Sequence, residues 1–152
     1  MAACIYRSYF SREKDKSDEF LKKSEEEYLI VSAGLSAVSG MDMNERAKKV
    51  LQEEGYSPSD HCSQPLDEEL LRGADLILTM TSAQAKEIMK KHARAEEIVY
   101  SLGNFLGRGF EIKDPIGASP QVYREICEQF QKMSEELEMS LKNFFSDRED
   151  EK

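Results

Sequence analysis

The side chain best set up to do chemistry is Asp114, within Lys113-Asp114-Pro115-Ile116-Gly117-Ala118-Ser119. A carboxylic acid on a short, stiff loop can protonate an alkoxide, phenolate or guanidine as its bond to phosphorus breaks. Pro115 restricts Asp114 to extended geometry, and glycine at 117 lets the backbone turn near a substrate. On these residues alone the plainer reading is a turn leading into a helix cap at Ser119. The other reactive groups are three cysteines and two histidines, His61 and His92. Cys4 and Cys127 fall on apolar helical faces and read as small core groups. Cys62, in a polar turn, is open to oxidation but has only His61 as a basic neighbour. His61 reads as a structural hydrogen-bonding residue at that turn rather than a base. No CxxC or Cys/His spacing suits a metal, and no cofactor is expected.

Composition narrows the partners. The formal net charge of −9 argues against nucleic acid and against anionic membrane surfaces, both of which select basic patches. No apolar run reaches the ~20 residues that span a bilayer, and Arg7, Ser8 and Arg12 interrupt any signal-like stretch. Three widely spaced cysteines suit a reducing cytosol, so a cytoplasmic protein is expected. The length of 152 residues suits one domain over 1–145, followed by a charged, frayed tail at 146–152.

The elements that must hold Asp114 follow from periodicity. Ala2, Ile5, Tyr6, Tyr9 and Phe10 share one side at helical spacing, so residues 1–10 predict a helix, although nothing caps its start. The charge-dense stretch 11–27 reads as the helix end and a solvated loop. Tyr28-Leu29-Ile30-Val31 reads as a buried strand. Asp42 and Glu45 have capping-box spacing for a helix that buries Ala47, Val50 and Leu51 and stops at Gly55. A short helix is expected near Asp67–Arg72. A second buried strand is expected over 74–80, then a helix capped by Thr81 and Gln84 with Ala85, Ile88 and Met89 inward. Glu97–Tyr100 reads as a third strand. Ser119 and Pro120 open a single last helix, with Val122, Ile126, Phe130, Met133, Leu137, Leu141 and Phe144 in one stripe. Strands alternating with helices imply a parallel sheet covered on both faces.

Four segments in order carry a resemblance: Val31-Ser32-Ala33-Gly34-Leu35, Asp60-His61-Cys62-Ser63, Ala74-Asp75-Leu76-Ile77-Leu78-Thr79-Met80-Thr81, and Asp114-Pro115-Ile116-Gly117-Ala118-Ser119. Together they resemble the low-molecular-weight protein-tyrosine-phosphatase family, whose bacterial branch includes protein-arginine phosphatases. The resemblance implies a flavodoxin-like α/β three-layer sandwich with a short parallel sheet. It also implies hydrolysis of phosphorylated protein side chains through a cysteinyl-phosphate, with Asp114 as general acid, and so reverses the plainer reading of that loop. Ile116 stands where the family often has Tyr or Phe lining the substrate slot. It cannot stack on a ring but would pack against an aliphatic arm. Ser36–Met43 is a candidate loop near the cleft with no assignable chemistry. The related arsenate reductases need a cysteine pair after the second sheet strand, and 79–95 contains none.

The family's nucleophile is a cysteine followed six positions on by arginine, in a loop that binds phosphate at a helix N-terminus. Here those positions hold Phe10, Glu68 and Met133 after Cys4, Cys62 and Cys127. Arg7-Ser8 imitates the loop's closing Arg-Ser, but Met1 stands six before Arg7, so residues 1–8 align better with the family's first helix. The resemblance therefore implies that a central strand and the cysteine loop are missing from this chain. Losing three or four buried aliphatic groups at ~1.5–3 kcal/mol each rivals a domain's ~5–15 kcal/mol stability. A marginal or partner-dependent fold, a start assigned too far downstream, and a non-catalytic module whose open sheet is covered by a partner chain all remain open.

Overall fold

The computed structural model describes residues 1–15, 28–58 and 62–149. His61, most of 11–27 and residues 150–152 lie outside them, so the expectations for those residues are not addressed. In chain order the elements are α1 (Ala2–Asp15), α2 (Glu45–Glu53), α3 (Glu68–Gly73), β1 (Ile77–Thr79) and α4 (Ser82–Lys91). A 3-10 turn (Ala93–Glu97), β2 (Val99–Ser101), α5 (Leu102–Phe105), α6 (Pro120–Lys132) and α7 (Ser134–Glu149) follow. The fold class is α/β. Contacts gather into two compact units, 1–65 with 117–134 and 66–116 with 135–152.

The first unit is a helical core. α6 packs against α1 and α2, burying Ile5, Tyr6, Val50, Leu51, Tyr123, Ile126, Cys127 and Phe130. Tyr6 meets Phe130 edge to face at 5.8 Å. α2 buries the three expected residues, but its cap is Asn44, whose side chain accepts from Arg46 N–H at 3.0 Å. Asp42 instead accepts from Met43 N–H at 3.1 Å and reaches Lys48 at 3.3 Å. At the other end Gly55 takes φ 81°. The N–H groups of Gly55 and Tyr56 return to Gln52 O and Leu51 O, the paired bonds of a Schellman stop.

The second unit is built on a βαβ core. β1 and β2 pair in parallel, with Ile77, Leu78 and Thr79 opposite Val99, Tyr100 and Ser101. α4 connects them and starts with the expected box: Thr81 accepts from Gln84 N–H while the Gln84 side chain reaches back to the cap. Tyr100, Phe105 and Phe144 make an aromatic triad at 5.6–6.0 Å that seats α7. Arg148 lies over Phe144 and donates to Glu97 O at 2.6 Å, so 146–149 continue the helix where a frayed tail was expected.

Two further expectations fail for long-range reasons. Tyr28–Val31 forms no ladder, and Leu29 and Val31 are 90 % and 46 % exposed. A strand is stable only against a neighbour, and among the described residues the nearest pairing, the isolated parallel bridge of Gly34 to Pro65, lies beyond Val31. The single last helix is two helices. At Met133 the ladder gives way, and Ser134 Oγ donates to Phe130 O at 3.0 Å, a side-chain bond that competes with helix continuation. The apolar stripe thus divides, with Ile126 and Phe130 in the first unit and Leu137 and Leu141 in the second.

Candidate functional site

Asp114 is held from the N-terminal side by a loop that is tightly folded within the second unit. Arg108 and Gly109 N–H both bond Gly103 O at 2.9 Å. Gly107 and Gly109 take φ of 67° and 64°, conformations that cost other residues strain. Arg108 stacks over Phe110 at 5.6 Å and pairs with Glu136 at 3.1 Å. Glu111 accepts from Ser82 N–H at 3.1 Å, where a carboxylate suits the N-terminal end of α4. Ile112 is buried, and its N–H bonds Met80 O at 3.0 Å, just past the end of β1. The chain therefore leaves the C-terminal end of the sheet with its next two residues free to project.

Those residues are Lys113 and Asp114, both exposed. Asp114 Oδ1 accepts from Ile116 N–H at 3.0 Å. This Asx-type turn orients the carboxyl and leaves its second oxygen available. Gly117 takes φ 82°, closing the turn that Pro115 begins. Ile116 is 77 % exposed, so it offers an aliphatic surface beside the acid. In the first unit Ala118 O accepts from Arg46 Nη1 at 2.7 Å, a tie that no local sequence signal announces. Ser119 caps α6 without a side-chain bond, and Pro120 starts the helix as expected.

The cysteines all lie in the other unit. Cys127 is fully buried, and its thiol is pushed up to about 11, mainly by burial and then by the Glu54 charge. Cys4 is half-buried, donates to Ser57 O at 3.5 Å, and is raised, again chiefly by burial. Protonated thiols make poor nucleophiles. Cys62 is exposed. Arg7-Ser8 lies within α1 rather than in a loop, and Arg7 Nε is committed to Ile30 O at 2.6 Å. A cavity of about 320 Å³ opens there, lined by Cys4, Arg7, Ser8, Ser11, Ser57 and Pro58. The Ser36–Met43 loop is tied to the Cys62 turn through Gly40 N–H to Ser63 O and Ser63 N–H to Met41 O. Among the described residues no group of three or more His, Cys, Asp or Glu is placed to hold a metal ion.

Solved structures share this α/β fold. A mutant of YwlE from Bacillus subtilis superposes with a TM-score of 0.79 at 26 % identity, over 93 % of this chain and 88 % of that one. YwlE arginine phosphatase from Geobacillus stearothermophilus gives 0.76 at 26 %, over 93 % and 83 %. The family model described as low molecular weight phosphotyrosine protein phosphatase matches residues 17–147, and the chain belongs to that family. Among curated relatives, a probable low molecular weight protein-tyrosine-phosphatase, EpsP of Ralstonia nicotianae, is 34 % identical over 68 % of this chain and 70 % of its own length. A protein-arginine-phosphatase of Bacillus subtilis is 30 % identical over 74 % and 75 %.

Proposed function

We propose that this chain carries the acid half of a protein phosphatase acting on phosphotyrosine or phosphoarginine side chains, with Asp114 as the proton donor. In the family reaction a thiolate sulfur bonds phosphorus while the P–O or P–N bond breaks, and Asp114 passes its proton to the departing atom. Water then attacks the cysteinyl-phosphate and gives a proton back to the Asp114 carboxylate, releasing phosphate and the thiolate. The observation that carries the assignment is an exposed carboxyl with one oxygen fixed by Ile116 N–H on a turn bounded by Pro115 and Gly117. Ile116 shapes the mouth of the site through aliphatic contact, and the protein works in the cytoplasm.

No cysteine in these 152 residues has arginine six positions on, so the chain by itself has the acid without the anion cradle. Its expected activity on an aryl phosphate is none above background. Turnover that Asp114→Ala abolishes would refute this inactivity. The acid role has a separate test: a strand and Cys-x5-Arg loop fused ahead of Met1 should bring turnover. Asp114→Asn should then lower it by about 10²–10⁴-fold. If the fused enzyme is indifferent to that substitution, Asp114 is not the acid. A second reading, a non-catalytic interaction module, is favoured by the exposed apolar face at Leu29 and Val31.

A further inference from the structure

A cavity of about 340 Å³ opens where β2, α5 and α7 meet, lined by Tyr100, Asn104, Phe105, Ser140, Asn143 and Phe144. All six belong to the second unit, whereas Met1 and residues 28–33 belong to the first. The space is at the small end of ligand pockets, enough for one large side chain. Three of its lining residues are the aromatic triad, and the Tyr100 hydroxyl is already spent on Glu97 O at 3.3 Å. No lining residue is charged. The side-chain amides of Asn104 and Asn143 have no hydrogen-bond partner among the described residues. A carboxamide holds donors and an acceptor side by side, the complement of a peptide N–H and C=O.

Asn143 also stands in a row along α7. Glu135, Met139, Asn143 and Asp147 are all exposed and four residues apart in one helix, so they share a face. The row spans about 18 Å in steps of about 6 Å, close to the ~6.7 Å between same-face side chains of an extended strand. Met139 is 68 % exposed. The cations of this helix are committed: Lys142 pairs with Glu138 at 2.5 Å, and Arg148 lies over Phe144 at 4.4 Å. The Glu135 and Asp147 carboxylates, one at each end of the row, have no partner among the described residues. We propose that this cavity and row form a docking site for an extended segment of another polypeptide, patterned basic-x-apolar-x-aromatic-x-basic. The aromatic side chain enters the cavity edge to face with the triad, and the two carboxamides hold the main chain beside it. The apolar residue covers Met139, and the basic ends meet Glu135 and Asp147. A helical partner would leave the carboxamides unanswered, because its own backbone groups are already paired. A second copy of this chain, at −9, would be repelled. The site stands apart from the Asp114 chemistry and does not depend on it.

The test uses the full chain and fluorescein-labelled, end-blocked peptides: KTLTFTK, its acidic counterpart ETLTFTE, the anchorless KTLTATK, and KTLTFTK methylated at the phenylalanine nitrogen. Fluorescence anisotropy should show KTLTFTK binding about tenfold or more tightly than each of the others, with affinity falling as salt is added. Asn143→Ala lies on the surface and should weaken binding about tenfold without changing the melting temperature. Glu135→Lys combined with Asp147→Lys should reverse the preference, so that ETLTFTE binds and KTLTFTK does not. No binding of KTLTFTK at about 1 mM, equal affinity for the two charged peptides, or indifference to Asn143→Ala would each overturn the proposal. N-acetylphenylalanine amide binding as tightly as KTLTFTK would also overturn it and make the cavity a small-molecule pocket. So would self-association of the chain that competes with the peptide, which would make a second copy the occupant.

Discussion

Replacing Gly103 by alanine is the sharpest probe of how the acid loop is held. A Cβ at this position would stand 2.0 Å from Phe110 O, 2.7 Å from Phe110 N and 2.8 Å from its carbonyl carbon. All three are backbone atoms, so no side-chain rotation relieves the clash. Restoring a tolerable contact near 3.2 Å requires the Phe110 segment to move by roughly 1 Å, a typical overpacking strain of about 1–3 kcal/mol. That shift also stretches the two 2.9 Å bonds from Arg108 and Gly109 to Gly103 O, worth about 1 kcal/mol each. The expected loss is about 3–5 kcal/mol, a large share of the ~5–15 kcal/mol of a typical domain. Urea unfolding followed by circular dichroism measures it. Gly107→Ala is the control: nothing lies within 4 Å of its Cβ, but φ is 67°, so about 1–2 kcal/mol of conformational cost is expected. If Gly103→Ala costs no more than Gly107→Ala, the close approach to Phe110 is not what positions the loop.

The hydroxyls of Tyr6 and Tyr123 are buried without partners among the described residues, so Tyr6→Phe and Tyr123→Phe should be neutral or stabilising by up to about 1–2 kcal/mol; a loss above about 1 kcal/mol in a thermal melt would show that the hydroxyl is hydrogen-bonded after all. Burial holds the Cys127 thiol neutral, so an unfolded chain binds fewer protons than the folded one between pH 9.0 and about 11. Stability should therefore fall as pH rises through that window, and the Cys127→Ala variant should lack this component of the slope. In native protein iodoacetamide should label exposed Cys62 first and leave Cys127 untouched until urea unfolds the chain, as peptide mass mapping would show. Gln84→Ala removes one arm of the α4 box and should cost about 0.5–2 kcal/mol in the same urea assay.

Features set by residues three or four apart are legible in the sequence itself. The Thr81–Gln84 box, the Gly55 stop, the Pro115–Gly117 turn around Asp114 and the inward residues of α2 all form as expected, because their partners lie within a turn or two of chain. Spacing misplaces the cap of α2 by two residues because Asp42 and Asn44 are both competent acceptors, and only the packed helix start selects between them. Tertiary structure alone decides the rest. Tyr28–Val31 has the composition of a buried strand, yet whether it joins a ladder depends on a neighbour far off in sequence. The break at Met133 divides one apolar stripe between two cores, which periodicity cannot foresee. The Arg46 tie to Ala118 and the raised Cys127 thiol likewise join residues about seventy positions apart. Side-chain spacing encodes what a residue can reach along its own helix or turn, whereas burial and pairing are set by what the rest of the chain brings to it.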